Sequence, residues 1–150
     1  MKVIFLDFDG VLTTPDSDYV FVPKLLQRLG DLLANTDARI VISSSRRGPT
    51  LRDTLDNIVD PNNPNVRNVP FPFTGKVIGI TPHTLAWYRG QQIEAYLDEH
   101  PEIHSYVILD DEDRFTPEQR KRLVLVDGGI GLTDEDIIRA TDILLNHVHL

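Results

Sequence analysis

The beginning of the chain constrains its fold more than any other stretch. Four apolar residues in a row, Val3 to Leu6, include β-branched and aromatic side chains, as is typical of a buried strand. Asp7 and Asp9 follow this strand at once, and Gly10 comes after them. Because burying a charge is costly unless the charge is paired or binds a metal, the two carboxylates need partners. The sequence therefore predicts that other parts of the chain supply those partners.

Five short apolar segments alternate with four segments of helical periodicity along the chain. Such alternation predicts a parallel sheet covered by helices on both faces, and strands that are apolar along their whole length suit that position. Residues 60–75 are rich in Pro and Asn and are predicted to form a loop, which is a candidate lid. The predicted strands are 2–6, 38–42, 76–80, 105–109 and 123–126, and the predicted helices are one from Pro23, 50–59, 87–99 and one capped by Thr133.

The composition narrows the class of protein. A length of 150 residues predicts one domain, spanning 1–150, with one core. The chain has no cysteine, which excludes disulfides and thiolate metal sites, and no apolar run approaches the roughly 20 residues that cross a bilayer. Because the N-terminus does not read as a signal peptide, we expect a cytoplasmic protein with no membrane partner. A net charge of −8 argues against stable non-specific binding of nucleic acid.

Polar side chains follow three of the predicted strands at the point where each strand ends. Asp7 and Asp9 follow the first strand, Ser44 follows the second, and Asp110 and Asp111 follow the fourth. Ligands of parallel α/β sheets bind beyond the carboxyl ends of the strands, so we expect these groups to meet at one edge. Four carboxylates there would repel one another, and Mg²⁺, which prefers oxygen ligands, would relieve that repulsion. Zinc is less favoured because the chain offers no thiolate.

Carboxylates beside Mg²⁺ are suited to phosphoryl transfer. One carboxylate can attack phosphorus as a nucleophile, and a second, two residues on, can act on the leaving oxygen as a general acid and then activate water as a base. A serine and a cationic side chain would hold the phosphate oxygens that are not transferred. Arg46 and Arg47 carry guanidinium forks that match phosphate, and they equally suit a solvated helix start. We keep Arg47 as a candidate phosphate-binding residue.

These residues resemble the motifs of the haloacid dehalogenase (HAD) superfamily of phosphotransferases. The run from Asp7 to Val11, Asp-Phe-Asp-Gly-Val, resembles its first motif, Ser44 its second, and Asp110-Asp111 its fourth. Arg89 matches the third motif, with Arg in place of the commoner Lys. The chain is most similar to small bacterial and phage members, including the HAD domain of Swiss Army Knife RNA-repair proteins. That similarity extends to the Ser-x-x-Arg at 44–47 and the Gly-Leu-Thr at 131–133.

The resemblance implies a catalytic role for four of these residues. Asp7 would be the nucleophile, and Asp9 would be the general acid and base. Ser44 would hydrogen-bond the phosphoryl group, and Arg89 would steady both that group and the carboxylates. Dehalogenases of the superfamily lack an acid/base Asp at the second position, so Asp9 favours phosphoryl chemistry.

The resemblance also implies a set of Mg²⁺ ligands. Asp7 would bind the metal through its side chain, and Asp9 would bind it through its backbone carbonyl. Asp110 would be the more direct ligand of the acidic pair, bound to the metal or to one of its waters. Asp111 would be its neighbour or a co-ligand.

The alternation and the resemblance together predict a three-layer, Rossmann-like α/β sandwich with five parallel strands in the order 3-2-1-4-5. Only about a dozen residues separate Gly10 from the helix at Pro23, too few for a folded cap domain. We therefore expect a minimal cap or none, and an open site that suits a bulky phosphorylated substrate such as a polynucleotide end.

Two other classes of function fit the same residues. A phospho-accepting domain of the response-regulator type also places acids at the end of a parallel sheet, but its adjacent acidic pair follows strand one rather than strand four. A phosphate-binding module without turnover is the second alternative. It fits less well because every motif position holds a chemically competent residue.

Overall fold

The computed structural model describes residues 1–83 and 88–145. Its centre is a five-stranded sheet in the order β3-β2-β1-β4-β5, in which every neighbouring pair is parallel. This confirms the predicted α/β class and strand order. The strands are β1 (Lys2–Leu6), β2 (Arg39–Ile42), β3 (Val77–Ile80), β4 (Ser105–Asp110) and β5 (Leu123–Leu125).

In the described part of the chain, five α-helices connect or follow these strands, one more than the sequence predicts. The additional helix is a single turn that begins after Thr116, whose side chain forms a capping box with Gln119. The predicted cap of the last helix is confirmed, because Thr133 Oγ1 accepts a hydrogen bond from the Asp136 amide at 3.1 Å. Trp87, the predicted start of the third helix, lies outside the described residues. The helices are α1 (Pro23–Thr36), α2 (Leu51–Asn57), α3 (Arg89–Glu99), α4 (Pro117–Arg120) and α5 (Asp134–Leu145).

The side chains of β1 alternate between two separate cores on the two faces of the sheet. Ile4 and Leu6 belong to the larger core, to which α1, α2 and α5 contribute. Val3 and Phe5 belong to the smaller core, to which α3 contributes Ile93 and Tyr96. Because both faces are covered, the strands can be apolar along their whole length, as the sequence indicates.

The central position of β1 brings the ends of three strands together. The Asp7 amide donates to the Leu109 carbonyl at 3.0 Å, and the Ser43 amide donates to the Leu6 carbonyl at 2.9 Å. These bonds extend the pairing by one residue, to Asp7 after β1 and to Ser43 after β2. The side chains that follow β1, β2 and β4 are therefore held at one edge.

Two of the segments that could cover this edge are short or packed elsewhere. Between Asp7 and α1 the chain forms turns and an isolated bridge from Asp9 to Thr13, with no inserted domain, so the predicted minimal cap is confirmed. The 60–75 loop is anchored in the larger core, where the buried ring of Phe71 lies 5.6 Å from that of Phe8. Among the described residues, no helix combines the length and apolar character needed to span a membrane.

Candidate active site

Two buried carboxylates share one guanidinium at the centre of the site. Arg89 is the first residue of α3, and its Nη1 lies 3.0 Å from Asp7 Oδ1 and 2.8 Å from Asp110 Oδ2. Asp110 is the last residue of β4, and its other oxygen accepts the Glu112 amide at 3.0 Å. All three side chains of this cluster are buried. The predicted positions of the first, third and fourth motifs are thus brought together.

The cluster carries more negative charge than Arg89 can neutralise. Burial, together with the charge of Asp110, raises the pKa of Asp7 to about 7, although Arg89 opposes the shift. Burial also raises the pKa of Asp110, against the lowering effect of Arg89. Burial by itself lowers the pKa of Arg89, but the two carboxylates outweigh it, so the net pKa is raised and Arg89 stays charged. A cation in addition to Arg89 would therefore be electrostatically favourable in this cluster.

A third carboxylate completes a set of oxygen ligands. Asp7, Asp110 and Asp111 each offer an oxygen, and these oxygens lie within 4.8 Å of one another. Asp111 fits there because its neighbours lack side chains: a Cβ would lie 2.3 Å from its Oδ2 if added to Gly10, and 2.8 Å if added to Gly128. Gly10 also has a φ of +84°, which L side chains rarely adopt. Three clustered carboxylates suit a hard cation such as Mg²⁺.

Asp9 lies on the other side of the site and is held by a different arginine. Its Oδ1 accepts a hydrogen bond from Thr13 Oγ1 at 2.9 Å, and its Oδ2 accepts one from Arg46 Nε at 3.1 Å. Arg46 Nη2 also bonds Asp9 and donates to the Tyr19 carbonyl at 2.6 Å. The guanidinium lies over the ring of Phe21, 5.4 Å from its centroid. Nε and Nη2 of Arg46 are therefore occupied by protein groups.

An open cavity of about 430 Å³ lies between the Asp7–Arg89 side of the site and the Asp9 side. Asp7, Asp9, Arg89 and Asp111 all line it, together with Gly10, Pro15, Tyr19, Ser45, Glu112, Arg114 and Gly128. The nucleophile and the acid/base predicted from the sequence thus face the same space. No residue of the 60–75 loop is among those lining residues. The loop does not act as a lid in this conformation.

The other two predicted phosphate-binding residues lie beside this cavity rather than in its lining. Ser44 is fully buried, and its Oγ accepts a hydrogen bond from the Arg46 amide at 3.1 Å. Arg47 Nη1 donates to the carbonyls of Ser43 at 3.1 Å and Ser44 at 2.9 Å. Ser45, between them in the chain, lines the cavity.

Arg114 is a candidate site residue that the sequence did not single out. It lines the cavity, and its Nε lies 3.1 Å from Glu112 Oε2. A signal was present, because Arg114 comes four residues after Asp110 in the connection that leaves β4 at the same edge. A cation in that position can contact a phosphorylated ligand.

Comparison with known families agrees with this geometry. A model of the HAD domain in Swiss Army Knife RNA repair proteins matches residues 3–137, which include all four motif positions. No curated protein and no solved structure matches the chain. The family match covers most of the chain, and the strand order and the clustered acids are those that the resemblance implies. The chain therefore belongs to the family of HAD domains found in Swiss Army Knife RNA repair proteins.

Proposed function

We propose that the protein is a Mg²⁺-dependent phosphomonoester hydrolase that works through an aspartyl-phosphate on Asp7. The observation that carries the proposal is the convergence of Asp7, Asp110, Asp111 and Arg89 beside an open cavity that Asp9 also lines. A carboxylate nucleophile and a separate acid/base at one cavity are what two-step phosphoryl transfer requires.

The reaction divides into two displacements at phosphorus. In the first, a carboxylate oxygen of Asp7 bonds to phosphorus, the ester P–O bond breaks, and Asp9 gives its proton to the leaving oxygen. In the second, Asp9 takes a proton from a water whose oxygen bonds to the same phosphorus. The P–O bond to Asp7 then breaks, which releases inorganic phosphate, restores the Asp7 carboxylate and leaves Asp9 protonated for the next turnover.

The donor set fits Mg²⁺, because it consists of three acidic side chains whose oxygens lie close together, and oxygen is the ligand that Mg²⁺ prefers. Asp7, Asp110 and Asp111 would hold the ion, and we keep the Asp9 backbone carbonyl as a further proposed ligand. Asp111 lines the cavity, whereas Asp110 lies against Arg89. When bound, the ion supplies positive charge to the carboxylates and to the phosphoryl oxygens.

Three residues are proposed to hold the phosphoryl group while it is transferred. Arg89 lies 3.0 Å from Asp7 and offers its remaining guanidinium donors to phosphoryl oxygens. The oxygen of Ser44 already accepts the Arg46 amide, so its hydroxyl proton is the part that would donate to phosphate. Arg47 holds the carbonyls of Ser43 and Ser44 and is the third proposed contact.

The proposed substrate is a macromolecular phosphomonoester, such as a polynucleotide end. Two observations support this class. The cavity is open and no cap domain covers it among residues 1–83 and 88–145, so a large substrate can reach Asp7. The family is that of HAD domains in Swiss Army Knife RNA repair proteins, and that description supports a polynucleotide substrate. The net charge of −8 still disfavours non-specific binding along a nucleic acid.

Hydrolysis of p-nitrophenyl phosphate with Mg²⁺ tests the proposed function. We expect Asp7→Asn and Asp9→Asn each to abolish turnover, and EDTA to do the same to the wild-type protein. Asp31→Asn, at an exposed position of α1, is the matched control and should retain full activity. Circular dichroism of each variant checks that it is folded.

Two results would contradict the proposal. Normal activity of the Asp7→Asn protein would exclude Asp7 as the nucleophile. A stable phospho-form after treatment with acetyl phosphate, without release of inorganic phosphate, would support a phospho-accepting domain instead.

A further inference from the structure

A second, smaller cavity lies next to the catalytic one. Its volume is about 110 Å³, and it is lined by Ser45, Arg47, Arg89, Gln92 and Arg114. Ser45, Arg89 and Arg114 also line the larger cavity, so the two spaces share a wall. We call the smaller one the arginine cleft.

The side chains that line the arginine cleft differ in charge from those that line its neighbour. Its lining contains three arginines and no carboxylate. The catalytic cavity, in contrast, is lined by Asp7, Asp9, Asp111 and Glu112 as well as by two arginines. Arg89 is paired with Asp7 and Asp110, and Arg114 is paired with Glu112, so the charge that remains for an anion comes mainly from Arg47.

Arg47 is the residue of the cleft with the least satisfied guanidinium. None of the ion pairs within residues 1–83 and 88–145 includes Arg47. Its Nη1 donates to two backbone carbonyls, and its Nε is buried without a hydrogen-bond partner. A buried donor without a partner is unfavourable, and an anion in the cleft would supply one.

The neighbours of Arg47 add to this requirement. Burial lowers the pKa of Arg47, and the adjacent charge of Arg89 lowers it further, while Asp7 offsets only part of the shift. Two like charges that face one small space attract an anion between them. Gln92, which lies three residues after Arg89 on α3, adds a neutral amide donor, and Arg114 adds a third guanidinium.

We propose that the arginine cleft binds a second phosphate group of the substrate molecule, in addition to the phosphomonoester that Asp7 attacks. This inference rests on the proposed function. It narrows the substrate to a phosphomonoester with a neighbouring phosphate, either the first phosphodiester of a polynucleotide end or the second monoester of a nucleoside bisphosphate. Arg47, the third residue proposed above to contact the transferred phosphoryl group, is then assigned to this second phosphate instead.

Substrates with and without the second phosphate test the proposal. We expect kcat/KM of the wild-type protein to be at least about tenfold higher for a nucleoside 3′,5′-bisphosphate, or for a trinucleotide with a terminal phosphate, than for the corresponding nucleoside monophosphate; tenfold corresponds to about 1.4 kcal/mol. A higher value for the trinucleotide than for the bisphosphate identifies the phosphodiester as the preferred group, and the reverse identifies the second monoester.

Gln92→Glu is the most informative variant. It keeps the shape of the side chain and does not touch the bonds from Arg47 to the loop that carries Ser44. The added negative charge should raise KM for substrates with a second phosphate at least about fivefold more than it raises KM for p-nitrophenyl phosphate. Arg47→Gln should act in the same direction. Arg139→Gln, at an exposed position of α5, is the matched control and should retain the wild-type preference.

The outcomes separate this inference from the proposed function. Equal kcat/KM values with and without the second phosphate, in a protein that does hydrolyse phosphomonoesters, would overturn the arginine cleft and leave the phosphatase intact. If no phosphomonoester is hydrolysed, the proposed function fails, and calorimetry of the bisphosphate and the monophosphate binding to the wild-type protein decides about the cleft. Tighter binding of the bisphosphate that Gln92→Glu removes would support the cleft, and equal binding would overturn it.

Discussion

Two arginine–carboxylate contacts face each other across the cavity, and they differ mainly in exposure. On one side Arg89 bridges Asp7 and Asp110, and the exposed fractions of the three side chains are 8%, 7% and 0%. On the other side Arg46 pairs with Asp9, whose side chain is 37% exposed. Both contacts are at hydrogen-bonding distance, so exposure rather than geometry separates them.

The difference in exposure suits the two carboxylates to different roles in the proposed chemistry. A buried carboxylate that is held by a buried guanidinium keeps its position, which suits a nucleophile that must meet phosphorus in line. A carboxylate that water and substrate can reach is suited to exchange protons with them. The buried contact should therefore control stability and the exposed contact mainly the rate, and variants of the arginines can test that division.

The largest effect is expected when the buried arginine is removed. Arg89→Gln leaves Asp7 and Asp110 buried without their guanidinium, so the free energy of unfolding of the metal-free protein at pH 8 should fall by about 3–5 kcal/mol. Urea denaturation followed by circular dichroism measures the loss. Phosphatase activity should be lost as well.

The matched control for that variant is Arg52→Gln. Arg52 pairs with Asp56 four residues on in α2, and both side chains are well exposed. Removing such a surface pair should change the free energy of unfolding by less than about 1 kcal/mol. If the two variants lose the same amount, the buried contact contributes no more than a surface pair, and the proposed division is wrong.

A smaller effect is expected from titration of the buried side. The pKa of Asp7 is about 7 in the folded protein and 3.8 in an unperturbed chain, so the folded state holds the proton more tightly. That contribution to stability is complete below about pH 4 and is lost as the pH rises towards 7. Asp7→Asn cannot titrate, so it should lose less stability than the wild-type protein between pH 4 and pH 8 when EDTA is present.

Thermal melts at several pH values measure this prediction. Asp31→Asn controls for the general loss of one acidic residue. Because the carboxylates carry most charge at high pH, Mg²⁺ should raise the melting temperature of the wild-type protein more at pH 8 than at pH 5. If the melting temperatures of the wild-type and Asp7→Asn proteins change equally with pH, the carboxyl of Asp7 does not titrate between pH 4 and pH 8.

The sequence predicted the buried side of the site better than the exposed side. Asp7 and Asp110 follow strands that are buried along their length, and parallel strands end at one edge, so their meeting follows from the fold. The structure adds which acid faces which neighbour: Asp110, still within β4, contacts Arg89, whereas Asp111, one residue later, lines the cavity. That difference depends on where the strand ends, which sequence patterns define poorly.

The exposed side depends on loop geometry, which residue types do not specify. Arg46 and Arg47 are adjacent and identical in chemistry, yet Arg46 reaches Asp9 and Arg47 reaches the carbonyls of Ser43 and Ser44. No periodicity distinguishes their directions. The missed helix α4 has a similar cause, since four residues show no helical period, although Thr116 and Gln119 carry the capping-box pattern.

The smallest effect on stability is expected from Arg46, the arginine of the more exposed contact. Arg46→Gln should change the free energy of unfolding by no more than about 1 kcal/mol, because the pair is partly solvated.

The rate should respond more strongly: we expect kcat for p-nitrophenyl phosphate to fall roughly tenfold, a fraction of what general acid–base catalysis supplies. KM should change less than kcat, because Arg46 orients Asp9 and two of its three guanidinium nitrogens are already bonded to the protein. Arg46→Lys keeps the charge and should restore part of kcat. A large rise in KM with kcat unchanged would mean that Arg46 leaves Asp9 to bind the substrate, and the exposed contact would then be a substrate-binding group rather than a support for the proton carrier.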